Sequence, residues 1–238
     1  MFNLEESLFS LPENLQIFSH FFQYSSHIYE WLNNLEAALF AFFETEELTD
    51  HNEWKIRVNE IRKNKNYSIG KNVYIAENVK LPVMCTIEDN VYIDRGTEIR
   101  SGALIRKNTI IGQNCVIGSS CEIKNSLIMN NVQIAHFNYV GDSILGHKSH
   151  LGAGAVLSNF RFDGKEIKLA TANGKIETGR RKLGAILGEH AQVGCNGVIL
   201  PGSVICKNSI ISAGVTWGGF LSKNQILHDK NEYIIKDN

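Results

Sequence analysis

An aliphatic residue returns every sixth position along most of this chain. Ile69, Ile75, Leu81, Ile87, Ile93, Ile99, Ile105, Ile111, Ile117 and Ile123 keep that interval without a break. The spacing then shortens by one residue twice, giving Ile128, Ile134 and Val140, then Leu145, Leu151 and Leu157. After an interruption it returns with Leu187, Val193, Ile199, Ile205 and Ile211. A helix repeats its apolar positions every three or four residues and a half-exposed strand every two, so a period of six belongs to neither. It is the mark of a solenoid built from hexads. Two residues before each aliphatic stands a small or β-branched one, as at Val73, Cys85, Val91, Thr97, Ala103, Thr109, Cys115 and Cys121. One large and one small inward position per hexad fit a short strand followed by a tight corner. Three hexads close a triangular coil of about eighteen residues, and coils stack through parallel strand ladders.

Residues 1–66 follow another rhythm. Ser10, Pro12 and Glu13 predict a capped helix start, with the acidic residue three positions after the serine. Ile28, Leu32, Leu35, Leu39 and Phe42 then form one apolar helical stripe. Eight of the twelve phenylalanines precede residue 44, too many to leave in water. This segment is expected to be an α-helical cap over the open first coil, where bare strand edges invite mispairing. The alternative is a docking surface for a protein partner or a second subunit. The β-solenoid is expected over 67–220, with a loop at 160–184 that leaves the hexad, either as a functional loop or as a surface excursion with a β-hairpin around Asn173-Gly174. Residues 221–238 are polar and read as a C-terminal arm.

Composition narrows the class. With 43% hydrophobic and 21% charged residues the chain reads as an ordinary soluble protein. It has no apolar run long enough for a membrane span and no signal-peptide pattern. Five cysteines without a CxxC pair, three of them in inward hexad slots, point to a reducing, cytoplasmic setting and to no metal. The net charge of −1 hides a split. Residues 1–54 hold ten acidic and no basic side chains, so the remainder is strongly basic. That suits phosphorylated ligands; the scatter of the basic residues argues against nucleic acid.

Two cations are spaced tellingly. Arg106 and Lys124 are eighteen residues apart, hence stacked on neighbouring coils about 4.8 Å apart. Like charges so placed repel, and an anion between them would relieve the strain; two solvated side chains splayed apart are the alternative. His136 falls at a corner, two residues after Ile134, either as a base or as a structural histidine. Tyr139, Gly141-Asp142 and the glycine-rich Gly152-Ala153-Gly154 follow it, and both shortened hexads lie nearby.

The words EIKNS, AHFNYVGDS, GAGAVLSN, RFDGK, TGRRKLGAILGEHAQVG and LPG, in that order over about residues 100–220, carry a resemblance. The segment resembles the acetyltransferase domain of the bacterial bifunctional glucosamine-1-phosphate acetyltransferase/N-acetylglucosamine-1-phosphate uridylyltransferases. It is closer to the C-terminal domain of archaeal sugar-1-phosphate nucleotidylyltransferase/acetyltransferases. The resemblance implies a left-handed parallel β-helix, a hand opposite to the usual crossover, and a homotrimer with a site at each subunit boundary. It also implies transfer from acetyl-CoA to an amino-sugar 1-phosphate, as in UDP-N-acetylglucosamine biosynthesis. By the same resemblance His136 is the general base, and Arg106, Lys124 and Tyr139 contact the sugar phosphate. Lys165 and Lys168 are loop lysines near the substrate, and Asn159 lies near both substrate and coenzyme. Ala153, Cys195 and Ala213 match coenzyme A contacts, Cys195 standing for a more usual serine.

Three departures bear on this reading. His150 stands where the family has an asparagine that touches the sugar, and Ala135 and Phe137 alter the flanks of His136. No GxGTR-type phosphate loop occurs, so nucleotidyl transfer is not expected of this stretch. The expected mechanism is direct attack of a sugar amine on the thioester, with His136 taking the proton and a backbone N–H beside Gly141 or in the Gly152–Gly154 turn holding the oxyanion. Two other classes stay open. One is a non-catalytic scaffold. The other is a metal enzyme similar to the γ-type carbonic anhydrases, with His136, His147 and His150 as ligands.

Overall fold

The computed structural model describes residues 8–44, 51–64, 67–229 and 232–235. Its body is a β-solenoid of about nine coils that fits a left-handed parallel β-helix. Three eight-stranded sheets form the faces of a triangular prism, parallel throughout except at the last strand. The first face runs from Tyr67–Ile69 to Thr216–Trp217, the second from Val73–Ile75 to Phe220–Leu221, and the third from Glu98–Ile99 to Gln225–Asp229. Hexad aliphatics such as Ile93, Ile105, Ile117, Ile134 and Leu151 point inward and are fully buried. The small slots, among them Cys115, Cys121 and Ala155, fill the corners between them. Tight corners put residues in the left-handed region. The chain meets that demand chiefly with asparagine (Asn90, Asn108, Asn114, Asn196, Asn208) and glycine (Gly96, Gly154, Gly214).

The solenoid extends beyond Phe220. Gln225–Asp229 continues the third face, and Glu232–Ile235 pairs antiparallel with it, so part of the expected arm is a closing strand.

The helical region does two jobs. The helix His51–Lys63 closes the first coil: Trp54 and Val58 join the prism core beside Val73 and Ile75. Arg57 donates to the Ile75 carbonyl (2.6 Å), and Arg62 donates to those of Ile69, Gly70 and Lys71. These are the open-end carbonyls that would otherwise recruit another strand. Residues 8–44, by contrast, lie along the second face. The cause is a pattern that recurs once per coil: the outward residues Tyr92, Ile110, Leu127, Ile144, Ile186 and Val204 of that face are apolar and buried. Phe18, Leu35, Leu39 and Phe42 cover them. At the junction Tyr74 and Tyr92, one coil apart, stack at 4.8 Å, with Phe18 and Phe42 edge-on to Tyr92. The capped start at Ser10 does not form. The first turn is a 3-10 helix at Glu13–Phe18 behind Pro12, without a side-chain cap, and the Ser10 N–H turns to Glu189 on the solenoid. Docking to the prism outweighs the local capping preference here.

Candidate active site

With the second face covered, the first and third remain bare, and the residues singled out gather around the first. One group lies on the edge where the third face turns into the first. His136 ends the strand Gln133–His136, whose register aligns His150 with Gln133 and Gln192 with His150. Three residues further on in each coil, His136, Ala153, Cys195 and Ala213 therefore form one column. Backbone bonds tie it: Gly154 N–H to His136 O (2.9 Å), Asn196 N–H to Ala153 O (2.8 Å) and Gly214 N–H to Cys195 O (2.8 Å). Only small residues, Ala153, Cys195 and Ala213, follow His136 along this edge, and His136 and Cys195 face solvent. In the Gly152–Gly154 turn the N–H groups of Gly152 and Gly154 are engaged within the coils. Among the described residues the Ala153 N–H has no backbone partner at this corner.

The second group lies on the opposite edge, where the first face turns into the second. Arg106 and Lys124 stack there as their spacing predicts, Arg106 N–H bonding to Ile123 O and Gly141 pairing with Lys124. Their charges are interleaved with carboxylates of the chain itself. Arg106 pairs with Glu122 (2.8 Å) and Glu88 (3.7 Å), and Lys124 with Asp142 (3.9 Å). The bond to Glu122 raises the Arg106 pKa. Lys124 goes the other way: burial lowers its pKa, and although Asp142 opposes this, the positive charges of Lys182 and Arg106 add to it. Lys124 and Arg180 both pair with the carboxylate of Asp142, and Lys182 lies beside Lys124, so positive charge is in excess around Lys124.

Asp142 is the hub of this edge, and spacing alone did not reveal it. It accepts from Asn125 (2.7 Å) and Asn159 (2.6 Å), is buried, and pairs with Arg180 at 3.6 Å. Tyr139 bends over Gly141 toward Asn159; a Cβ on Gly141 would sit 2.5 Å from the Asn159 amide and 2.6 Å from the Tyr139 hydroxyl, so a side chain there would displace both. Burial raises the Tyr139 pKa, against the hydrogen bond from Asn159. A signal for this edge did exist. Both shortened hexads, Ile123 to Ile128 and Val140 to Leu145, and the excursion at 160–184 occur at this same corner in successive coils. The excursion forms the expected hairpin, Ile167–Thr171 with Gly174–Arg180, and its base is pinned here by Leu183 N–H to Asn159 O and Gly184 N–H to Asp142 O.

Arg106, Lys124, Tyr139 and Asn159 thus form one cluster, and His136, Ala153, Cys195 and Ala213 one column across the same face. Three residues fall outside both. His150 lies on the third face, paired in register with Gln133 and Gln192. Lys168 pairs with Glu177 of the hairpin (2.5 Å), and Lys165 is exposed with its N–H on Asp163. Within the described residues neither lysine bonds to the cluster. Within one chain the three histidines of the metal reading do not meet. His136 is on the third–first edge, His150 on the third face, and His147 on the second–third edge with its ring 6.2 Å from that of His190. No group of three or more metal-capable side chains occurs among the described residues, and no helix among them is long and apolar enough to cross a membrane.

The fold is that of a hexapeptide-repeat solenoid, and residues 70–171 match the family described as the EIF2B subunit epsilon LbH domain. The chain resembles the acetyltransferase domain of bifunctional sugar-1-phosphate nucleotidylyltransferase/acetyltransferases, archaeal ones included. It is 39% identical over 100 residues to the bifunctional sugar-1-phosphate nucleotidylyltransferase/acetyltransferase of Sulfurisphaera tokodaii, covering 40% of this chain and 25% of that protein. It is 36% identical over 110 residues to the bifunctional protein GlmU of Methanococcus vannielii, covering 46% and 26%. The chain thus spans about a quarter of the length of these curated relatives. A hexapeptide transferase family protein from Anaplasma phagocytophilum is similar in fold, at 14% identity and a TM-score of 0.40 over 72% of this chain and 80% of that one.

Proposed function

We propose that the chain transfers an acetyl group from acetyl-CoA to the amine of an amino-sugar 1-phosphate. The observation that carries this is the pairing of two edges of one bare face: the His136 column on one side, an excess of cations around Lys124 on the other. The acceptor phosphate docks at Arg106 and Lys124, replacing part of their pairing with Glu122 and Asp142. The strand Tyr139–Gly141 spans the interval, on the order of 10 Å. Across it the amine meets His136. As nitrogen attacks the thioester carbon, His136 takes the amine proton, the carbon–sulfur bond breaks and the thiolate leaves to be protonated. The Ala153 N–H is the donor placed to meet the developing oxyanion one coil below the base. Holding both reactants on a rigid prism lowers the entropic part of the barrier.

Coenzyme A lies along the edge past Ala153, Cys195 and Ala213 in this reading, where the column below His136 carries only small side chains. Lys165, Lys168 and His150 do not reach the cluster within one chain. They serve the site of a neighbouring copy if the protein is a homotrimer. That assembly is favoured by geometry, since the helices leave only the two faces that meet at the His136 edge free for another copy. A cytoplasmic place among the steps that make UDP-N-acetylglucosamine suits this chemistry.

A scaffold role is the second reading, favoured by two observations: the match to the EIF2B epsilon LbH domain, and the fact that Arg106 and Lys124 already have carboxylate partners. The acidic helical layer would then be the partner-binding surface. A free-thiol assay with acetyl-CoA against glucosamine 1-phosphate and galactosamine 1-phosphate separates the two. Acceptor-dependent thiol release is expected; none with any amino-sugar phosphate would leave the scaffold.

A further inference from the structure

Every coil passes the His136 edge through one residue in the left-handed region, the position just before the small inward slot. Down the edge these residues are Met84, Gly102, Ser120, Phe137, Gly154, Asn196 and Gly214, with φ between 54° and 79°. Five of the seven are glycine, asparagine or serine, residues that adopt this conformation readily or with a small side chain. Phe137 is not, and it is 65% exposed. A bulky aromatic held in a strained turn and left in water has no structural benefit of its own. Strain of this kind persists where surrounding contacts enforce it, and it gathers at ligand sites.

The enforcing contacts are specific. The inward slot after Phe137 holds Asn138, a buried amide where neighbouring coils of this edge carry Cys121 and Ala155. Its Nδ2 donates to the Gly152 carbonyl (2.6 Å) and the Ala155 carbonyl (3.3 Å), and its Oδ1 accepts from the His136 N–H (3.1 Å). The Phe137 N–H bonds to Ser119 O at 3.0 Å. The corner backbone is clamped from both sides, and the Phe137 ring lies 6.2 Å from the imidazole of His136 at an interplanar angle of 38°.

We infer that Phe137 is a specificity-determining residue that stacks on the pyranose ring of the acceptor while His136 engages its amine. The inference rests on the acyl-transfer reading. An acceptor reaching from His136 toward Arg106 must leave the edge along residues 137–139, over this ring. Pyranoses present a face of C–H groups that packs on an aromatic surface, and a rigid aromatic supplies that surface with little loss of side-chain entropy. Coenzyme A runs the other way, down the column through Gly154, Asn196 and Gly214, and does not need the ring.

The test compares Phe137→Asn, the residue this edge already uses at Asn196, with Met84→Asn, a control at the other strained and exposed corner (73% exposed) three coils away. Both substitutions relax a turn and are expected to raise Tm by about 2–4 °C. Phe137→Asn is expected to raise KM for the amino-sugar phosphate about tenfold, leaving KM for acetyl-CoA within about twofold. Met84→Asn should change neither KM, and Phe137→Leu should fall between. An unchanged acceptor KM in Phe137→Asn overturns the inference while wild-type turnover keeps the acyl-transfer reading. A rise accompanied by altered oligomeric state in size-exclusion chromatography also overturns it, because the ring would then serve an interface. Absence of turnover in the wild type removes both.

Discussion

The first and second faces of the prism share one backbone and differ in a single position per strand. On the second face the outward residues are Tyr92, Ile110, Leu127, Ile144, Ile186 and Val204, all buried beneath the helices and the hairpin. On the first face the corresponding residues are Ser68, Thr86, Leu104, Glu122, Tyr139, Val156, Val198 and Thr216, none of them buried. Inward positions specify the solenoid and are nearly interchangeable between faces. Outward positions decide which face becomes structure and which stays free for chemistry.

That contrast can be broken from either side. His136→Ala at the edge of the first face is expected to lower kcat by about a hundredfold to ten-thousandfold, the range for removal of a general base, with Tm nearly unchanged. Steady-state kinetics beside a thermal melt would show both. Tyr92→Ala on the second face should do the converse. It removes a buried ring stacked on Tyr74 and flanked by Phe18 and Phe42, a loss of about 3–5 kcal/mol in chemical denaturation. Turnover of the molecules still folded should persist. A catalytic defect in Tyr92→Ala as large as that in His136→Ala would erase the division of labour.

Smaller effects sharpen it. Arg106→Ala should raise KM for the sugar phosphate about tenfold to a hundredfold, the size of a lost charge-assisted bond, and spare kcat. An unchanged acceptor KM would remove the phosphate from this edge. Lys124 adds a pH signature. Its pKa is lowered by burial and by the neighbouring cations, so on raising the pH it loses its proton below 10.5, the ordinary lysine value. Acceptor binding should therefore weaken on the alkaline side earlier than for an ordinary lysine, and Lys124→Arg should abolish that limb. The sign for stability is opposite. Between the folded pKa and 10.5 the unfolded chain holds more protons at this site, so its contribution to stability rises with pH in that window.

The solenoid was legible in the sequence because a period of six has no competing explanation, and the Arg106–Lys124 stack followed from the length of one coil. The covered face was also written there, as apolar residues one position before the inward aliphatic in every third hexad, yet it is visible only after residues are sorted by face. Hence residues 8–44 were expected over the end of the prism and lie along its flank. Glu122 and Asp142 as partners of the cations, and Arg180 and Lys182 returning from the hairpin to the same edge, were not legible. Where a loop lands is set by packing against the prism, and no local pattern encodes it. Ser10 failed as a cap for the same reason.

The central claim, that the edge below His136 receives coenzyme A, has a reporter already in place. Of the five cysteines, Cys85, Cys115, Cys121 and Cys206 are buried, and Cys195 alone is exposed, in the column below His136. The rate at which iodoacetamide alkylates the native protein therefore reads that one position. Acetyl-CoA at ten times its Kd is expected to slow modification about tenfold, and glucosamine 1-phosphate alone to leave it unchanged. Alkylation of Cys195 at an undiminished rate under saturating acetyl-CoA would contradict the claim.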